Sequence, residues 1–128
     1  MYSPPNPLRA RNRYQVLDLS SRMEGASPHR LVSILYEELQ NALDGAIRAR
    51  ENGQEIAANS QMARAKSILA ALEAGLDFDR GGTLATTLCG IYRAMQRQLA
   101  NTPNDLGKLN EVRAGVANIA ESWRALVA

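Results

Sequence analysis

Few side chains in this 128-residue chain could do chemistry, and they are scattered along it. His29 is the sole histidine and Cys89 the sole cysteine. A Cys–His nucleophile pair would have to bring these two together. Cys89 falls mid-helix beside an apolar stripe, where the expected role is a small buried hydrophobe. One His and one Cys also leave a zinc site short of ligands. Asp77 and Asp79 flank the sole Phe in the stretch Leu76-Asp77-Phe78-Asp79-Arg80-Gly81-Gly82-Thr83-Leu84. Paired carboxylates suit acid–base work, but nothing beside them in sequence is placed to polarise a substrate, so solvated loop acids are the simpler reading. Gly81-Gly82-Thr83 could offer free N–H groups to an anion at a helix start. The P-loop spacing and its lysine are missing, however, and two aspartates would repel a phosphate. The stretch therefore reads as a corner between helices, with Phe78 anchoring it against the bundle and Gly81 and Gly82 permitting the turn. No catalytic residue, metal or cofactor is expected, and the protein is not expected to be an enzyme.

Composition narrows the classes further. The length fits one domain that needs no disulfide or metal to fold. Fifteen basic residues face thirteen acidic ones, a net charge of +2 that does not call for a nucleic-acid partner. Arg48, Arg50, Arg64, Lys66, Arg93 and Arg97 alternate with Glu51, Glu55 and Glu73, as on solvated helix faces. The longest central apolar run, Ile68 to Leu72, is far too short to cross a bilayer, so no stable membrane insertion is expected. The first residues lack the apolar stretch of a secretory signal. With a single cysteine, a reducing, cytoplasmic setting is expected.

Behind these residues stand four helical patterns. Residues 1–26 hold three prolines and spaced arginines and read as a flexible N-terminal tail with one apolar patch, Tyr14-Gln15-Val16-Leu17-Asp18-Leu19. Residues 27–128 read as a helical bundle domain. Ser27-Pro28 marks a helix start, and this first helix is predicted to run to about Asn52, with Gly53 as its left-handed cap. Its apolar residues, among them Leu31, Val32, Leu35, Tyr36, Leu39, Leu43 and Ile47, cover a wider arc than one packing partner needs. The second helix is predicted from about Gln54 to Leu76, on Ala58, Met62, Ala65, Leu69, Leu72 and Leu76. The third begins near Gly82 and runs to about Asn101, on Leu84, Leu88, Ile91, Tyr92, Met95 and Leu99. Beyond the breaker at Asn101-Thr102-Pro103-Asn104, the fourth carries Leu109, Val112, Val116, Ile119, Trp123 and Leu126. No segment alternates like a strand. Short connections make an all-α, antiparallel up-down-up-down four-helix bundle the expected fold, to which the N-terminal segment could add a short helix.

Ala26-Ser27-Pro28 with Leu31-Val32 and Leu35-Tyr36-Glu37, then Leu76 to Gly82, Leu88 with Ile91-Tyr92, and Trp123 near the end, stand in an order and spacing that resembles the flagellar secretion chaperone FliS family. The resemblance covers about residues 26–124. It implies a small cytosolic helical bundle that binds the C-terminal region of flagellin. Such a protein prevents premature polymerisation and assists delivery to the flagellar type III export apparatus. It also implies that an N-terminal segment with a tyrosine covers part of the binding groove, for which Tyr14 is the best match and Tyr2 a weaker one. Tyr14 lies further from Ser27 than the family pattern has it, and Glu38 stands where the family usually has a small residue. The tail tyrosine, the wide arc of the first helix and the stripe of the third then supply the candidate contact residues: Tyr14, Val32, Tyr36, Leu43, Ile47, Leu88 and Tyr92. Ordinary core packing competes for each of them. Two other readings stay open: a histidine phosphotransfer-type signalling bundle using His29, although His29 sits in a first helical turn rather than mid-helix, and an adaptor for another secreted filament protein.

Overall fold

The structure is a computed structural model, and residues 22–126 are described. Among the described residues four long helices follow one another: α1 (Pro28–Glu51), α2 (Glu55–Ala74), α3 (Phe78–Asn101) and α4 (Leu106–Ala125). The start of α1 follows the expected chemistry. Ser27 Oγ accepts the Arg30 N–H at 3.1 Å, and Pro28 occupies a position whose N–H would have no helical partner. At the other end Asn52 closes the helix, Gly53 takes φ +69°, and Arg48 and Arg50 lie in the negative last turn. Asp105 Oδ1 caps α4 by accepting the Lys108 N–H at 3.1 Å.

Two boundaries differ from the sequence expectation, and both lie at the same corner. Helix α2 stops at Ala74 rather than Leu76, and α3 starts at Phe78, a turn before Gly82. The cause is Asp77. Its carboxylate accepts the N–H groups of Asp79 at 3.1 Å and Arg80 at 3.0 Å, and its carbonyl accepts that of Gly81 at 2.7 Å. One complete turn is thereby closed before Gly82. Gly82 then breaks the helical path with φ +49° and ψ −124°, a conformation that side-chain-bearing residues avoid.

Helix α1 packs along both α2 and α4, α2 also packs on α3, and α3 packs on α4 more slightly than these. With short connections this ring order gives the expected antiparallel bundle. Most of the wide apolar arc of α1 is covered by the other three helices. Tyr36, Leu39, Leu43, Ala46 and Ile47 are all buried, against Met62, Ala65 and Leu69 of α2, Leu88, Tyr92 and Leu99 of α3, and Leu109, Val112 and Val116 of α4. Cys89 is buried on α3. Polar seams run between helices: Arg93 Nε to Glu73 Oε2 at 3.2 Å joins α3 to α2, and Arg113 pairs with Asp44 to join α4 to α1. No helix among the described residues is long and apolar enough to cross a membrane.

Candidate functional site: an apolar cleft at one end of the bundle

The end of the bundle where α1 and α3 begin and α2 and α4 finish is not closed. A cleft of about 560 Å³ opens there, lined by residues of all four helices. Val32 and Leu35 come from α1, Leu72 from α2 with Leu76 just beyond it, Leu84, Leu88 and Tyr92 from α3, and Trp123 from α4. Small side chains make the room. Ala71 and Gly75 face it from one side and Gly81 and Ala85 from the other, each pair one helical turn apart in sequence. A Cβ on Gly81 would meet the Ala85 Cβ at 2.9 Å, so the corner tolerates nothing larger. Apart from the hydrogen-bonded Tyr92 and Trp123, polar side chains in the lining are confined to His29, Asp77 and Arg80, and the Arg80 side chain is 92% exposed.

A thread of rings crosses the bundle at the base of the cleft. The Tyr92 and Tyr36 hydroxyls meet at 2.5 Å, tying α3 to α1. Tyr36 meets Trp123 edge-on at 6.3 Å between centroids, and Trp123 stacks on His29 at 4.9 Å. The last two residues also clasp each other's backbone. Trp123 Nε1–H donates to the His29 carbonyl at 3.0 Å, and His29 Nε2 donates to the Trp123 carbonyl at 2.8 Å. The N-terminus of α1 is thus fastened to the C-terminal turn of α4, and the clasp forms one wall of the cleft. Burial pushes both tyrosine hydroxyls above their ordinary pKa; for Tyr92 the hydrogen bond to Tyr36 raises it further.

The residues expected to make contacts separate into three groups. Val32, Leu88 and Tyr92 line the cleft. Tyr36 lies in the core next to it, and Leu43 and Ile47 lie further along α1, buried between helices with no surface to offer in this conformation. Tyr14, with the tail up to residue 21, lies outside the described residues. At the corner, Gly81 lines the cleft and Gly82 forms the break in α3, but Phe78 does not anchor the turn. It is 52% exposed, because the extra turn that Asp77 closes carries the ring outward. Leu84, expected in the stripe of α3, is 47% exposed at the cleft edge.

Two features escaped the sequence reading. Trp123 belonged visibly to the stripe of α4, but nothing in its spacing tells that it closes a cleft with His29. Glu38 is 8% exposed and held by Arg64 Nη2 at 2.7 Å and Arg22 Nη1 at 2.8 Å, while Arg22 also reaches Glu37. The signals were a charged residue among the apolar positions of α1 and its place where the resembled family usually has a small residue. The described residues include no group of three or more acidic, His or Cys side chains that could hold a metal.

Comparison with known proteins places this arrangement. The family model described as "Flagellar protein FliS" matches residues 10–128. The chain belongs to the FliS family. It is 35% identical over 116 residues to the flagellar secretion chaperone FliS of Salmonella typhimurium, covering 88% of this chain and 86% of that one. It is 32% identical over 118 residues to the flagellar secretion chaperone FliSB of Pseudomonas aeruginosa, covering 91% and 94%. FliS of Bacillus subtilis, also named a flagellar secretion chaperone, is 29% identical over 104 residues, covering 80% and 77%. The FliS resemblance read from the Ser27-Pro28 start, the 76–82 corner and Trp123 is therefore met over nearly the whole chain, and the bundle fold agrees with it. These relatives are named for chaperoning, not for a reaction.

Proposed function

We propose that this FliS-family protein is a flagellar secretion chaperone that holds the C-terminal segment of flagellin in the cytosol and brings it to the export apparatus. The observation that carries the reading is the cleft: an apolar opening lined by all four helices, in a bundle whose core is otherwise filled. A folded domain that leaves such a surface uncovered is suited to a partner that brings its own apolar face. A segment that is disordered when free loses conformational entropy on ordering, so it needs a large apolar contact to compensate. The cleft supplies the starting point of that contact, and Leu84 at its edge is 47% exposed. Helical anchors at i, i+3, i+4 and i+7 suit an opening of this kind. Holding those anchors would keep them from pairing with other flagellin chains.

Isothermal titration calorimetry with the C-terminal segment of flagellin from the same organism tests the reading. One-to-one binding with a negative heat-capacity change is expected, as apolar burial requires. No heat at high micromolar concentration would defeat it. The signalling alternative gains nothing from the geometry, since His29 stacks on Trp123 and its Nε2 is engaged by a carbonyl.

A further inference from the structure

The first turn of α3 is built as a separate piece. Its capping bonds all close on Asp77, which accepts from Asp79, Arg80 and Gly81, and the Arg80–Asp77 ion pair at 3.8 Å is internal as well. Gly82 separates it from the rest of the helix with a backbone conformation that only glycine adopts readily. Thr86 Oγ1 donates back to the Gly82 carbonyl at 3.2 Å, a hydrogen bond on the far side of the break. Asp77, Phe78, Asp79 and Arg80 are all exposed, so little buried surface holds the turn in place. Asp77, Arg80 and Gly81 nevertheless line the cleft, and the ring of Phe78 stands between two of them in sequence without entering it. The sole Phe of the chain is thus left half in solvent, on a self-contained turn with a glycine joint, beside residues that line an apolar opening.

We propose that Phe78 is a binding residue: the Phe78–Gly81 turn swings on Gly82 and lays the Phe78 ring over the apolar segment seated in the cleft. This assignment rests on the cargo reading above and deepens it. The swing needs no capping bond to break, because those bonds travel with Asp77 and the non-helical link at residues 75–77 gives the turn its second joint. It is driven by removing the ring from water when a bound helix provides the second apolar face that the empty cleft lacks. Leu84, just past the joint, supplies the fixed side of the grip and Phe78 the moving side. Arg80 and Asp77 remain in water at the rim and leave the contact itself apolar.

The test is a Phe78→Ala variant titrated with the same flagellin segment. The side chain is half in solvent, so the thermal midpoint of the free protein should stay within about two degrees of wild type, as for exposed positions generally. Binding should weaken about tenfold or more, the scale of a buried aromatic anchor, and Phe78→Trp should retain most of the affinity. Amide hydrogen exchange at residues 78–82 should slow in the wild-type complex. If wild type binds while Phe78→Ala binds within twofold of it, or if exchange at 78–82 is the same free and bound, the assignment is overturned and the cargo reading survives. If wild type does not bind, the cargo reading falls and the assignment with it. A change only in self-association by sedimentation, with cargo affinity unchanged, would mean that the ring serves contacts between copies of this chain, and this also overturns the assignment.

Discussion

Tyr36 and Tyr92 satisfy each other across the core with a hydroxyl pair at 2.5 Å, and both rings are almost completely buried. Such a pair is asymmetric in its response to mutation. Tyr92→Phe leaves the Tyr36 hydroxyl without a partner in the core and should destabilise by about 1–3 kcal/mol, whereas replacing both tyrosines by Phe should be close to neutral. Denaturant unfolding of the two variants checks this, and equal losses would refute the pairing. The same pair sets an alkaline limit. Burial raises both pKa values in the folded protein above the ordinary value of 10.0, so the folded state holds these protons more tightly than the unfolded chain. Their contribution is fully present below about pH 10 and is lost as pH rises further, because the unfolded chain ionises first. The double Phe variant should therefore lose less stability than wild type between about pH 8 and about pH 11.

The seam between α1 and α2 depends on one buried acid. Glu38 is gripped by Arg64 from α2 and by Arg22 from the segment before α1. Glu38→Ala would strand the Arg64 guanidinium, whose side chain is only 16% exposed, and should cost about 2–4 kcal/mol. Arg22→Ala leaves Glu38 with Arg64, and the more exposed Arg22 should contribute under about 1 kcal/mol. Comparable losses in thermal unfolding would contradict this ranking. The seam also marks how far the sequence could be read. Helix spans and stripes were legible because each depends on neighbours three or four positions away, as at Ser27-Pro28 or along Met62, Ala65, Leu69 and Leu72. The partners of Glu38 lie 16 and 26 positions away, and only packing brings them together. Leu43 and Ile47 were ambiguous for the same reason: an apolar arc does not announce how many helices will cover it. At the 76–84 corner, the Gly-Gly pair masked the cap at Asp77, and with it the outward turn of Phe78.

At the scale of the whole molecule, the bundle divides into a closed core and an open end. Four helices of similar length would ordinarily bury their apolar faces throughout, but small residues at Ala71, Gly75, Gly81 and Ala85 keep one end unfilled. Substitutions should sort by that division. Leu43→Ala, in the closed part and fully buried, should cost about 2–5 kcal/mol of stability. Its effect on cargo affinity, measured where the variant remains folded, should be small. Leu84→Asp, at the exposed edge of the cleft, should do the reverse, weakening binding about tenfold or more with little change in thermal midpoint. Matched calorimetry and thermal unfolding would distinguish the two, and a loss of binding by Leu43→Ala at full folding would erase the division. The wall that closes the cleft on the α4 side has a further use. It is made by the sole tryptophan of the chain, clasped to His29 and facing the opening. An indole emits at shorter wavelength when water leaves it, so filling the cleft would change the colour of the protein's own fluorescence. The molecule therefore carries a built-in optical gauge of occupancy, readable without any label.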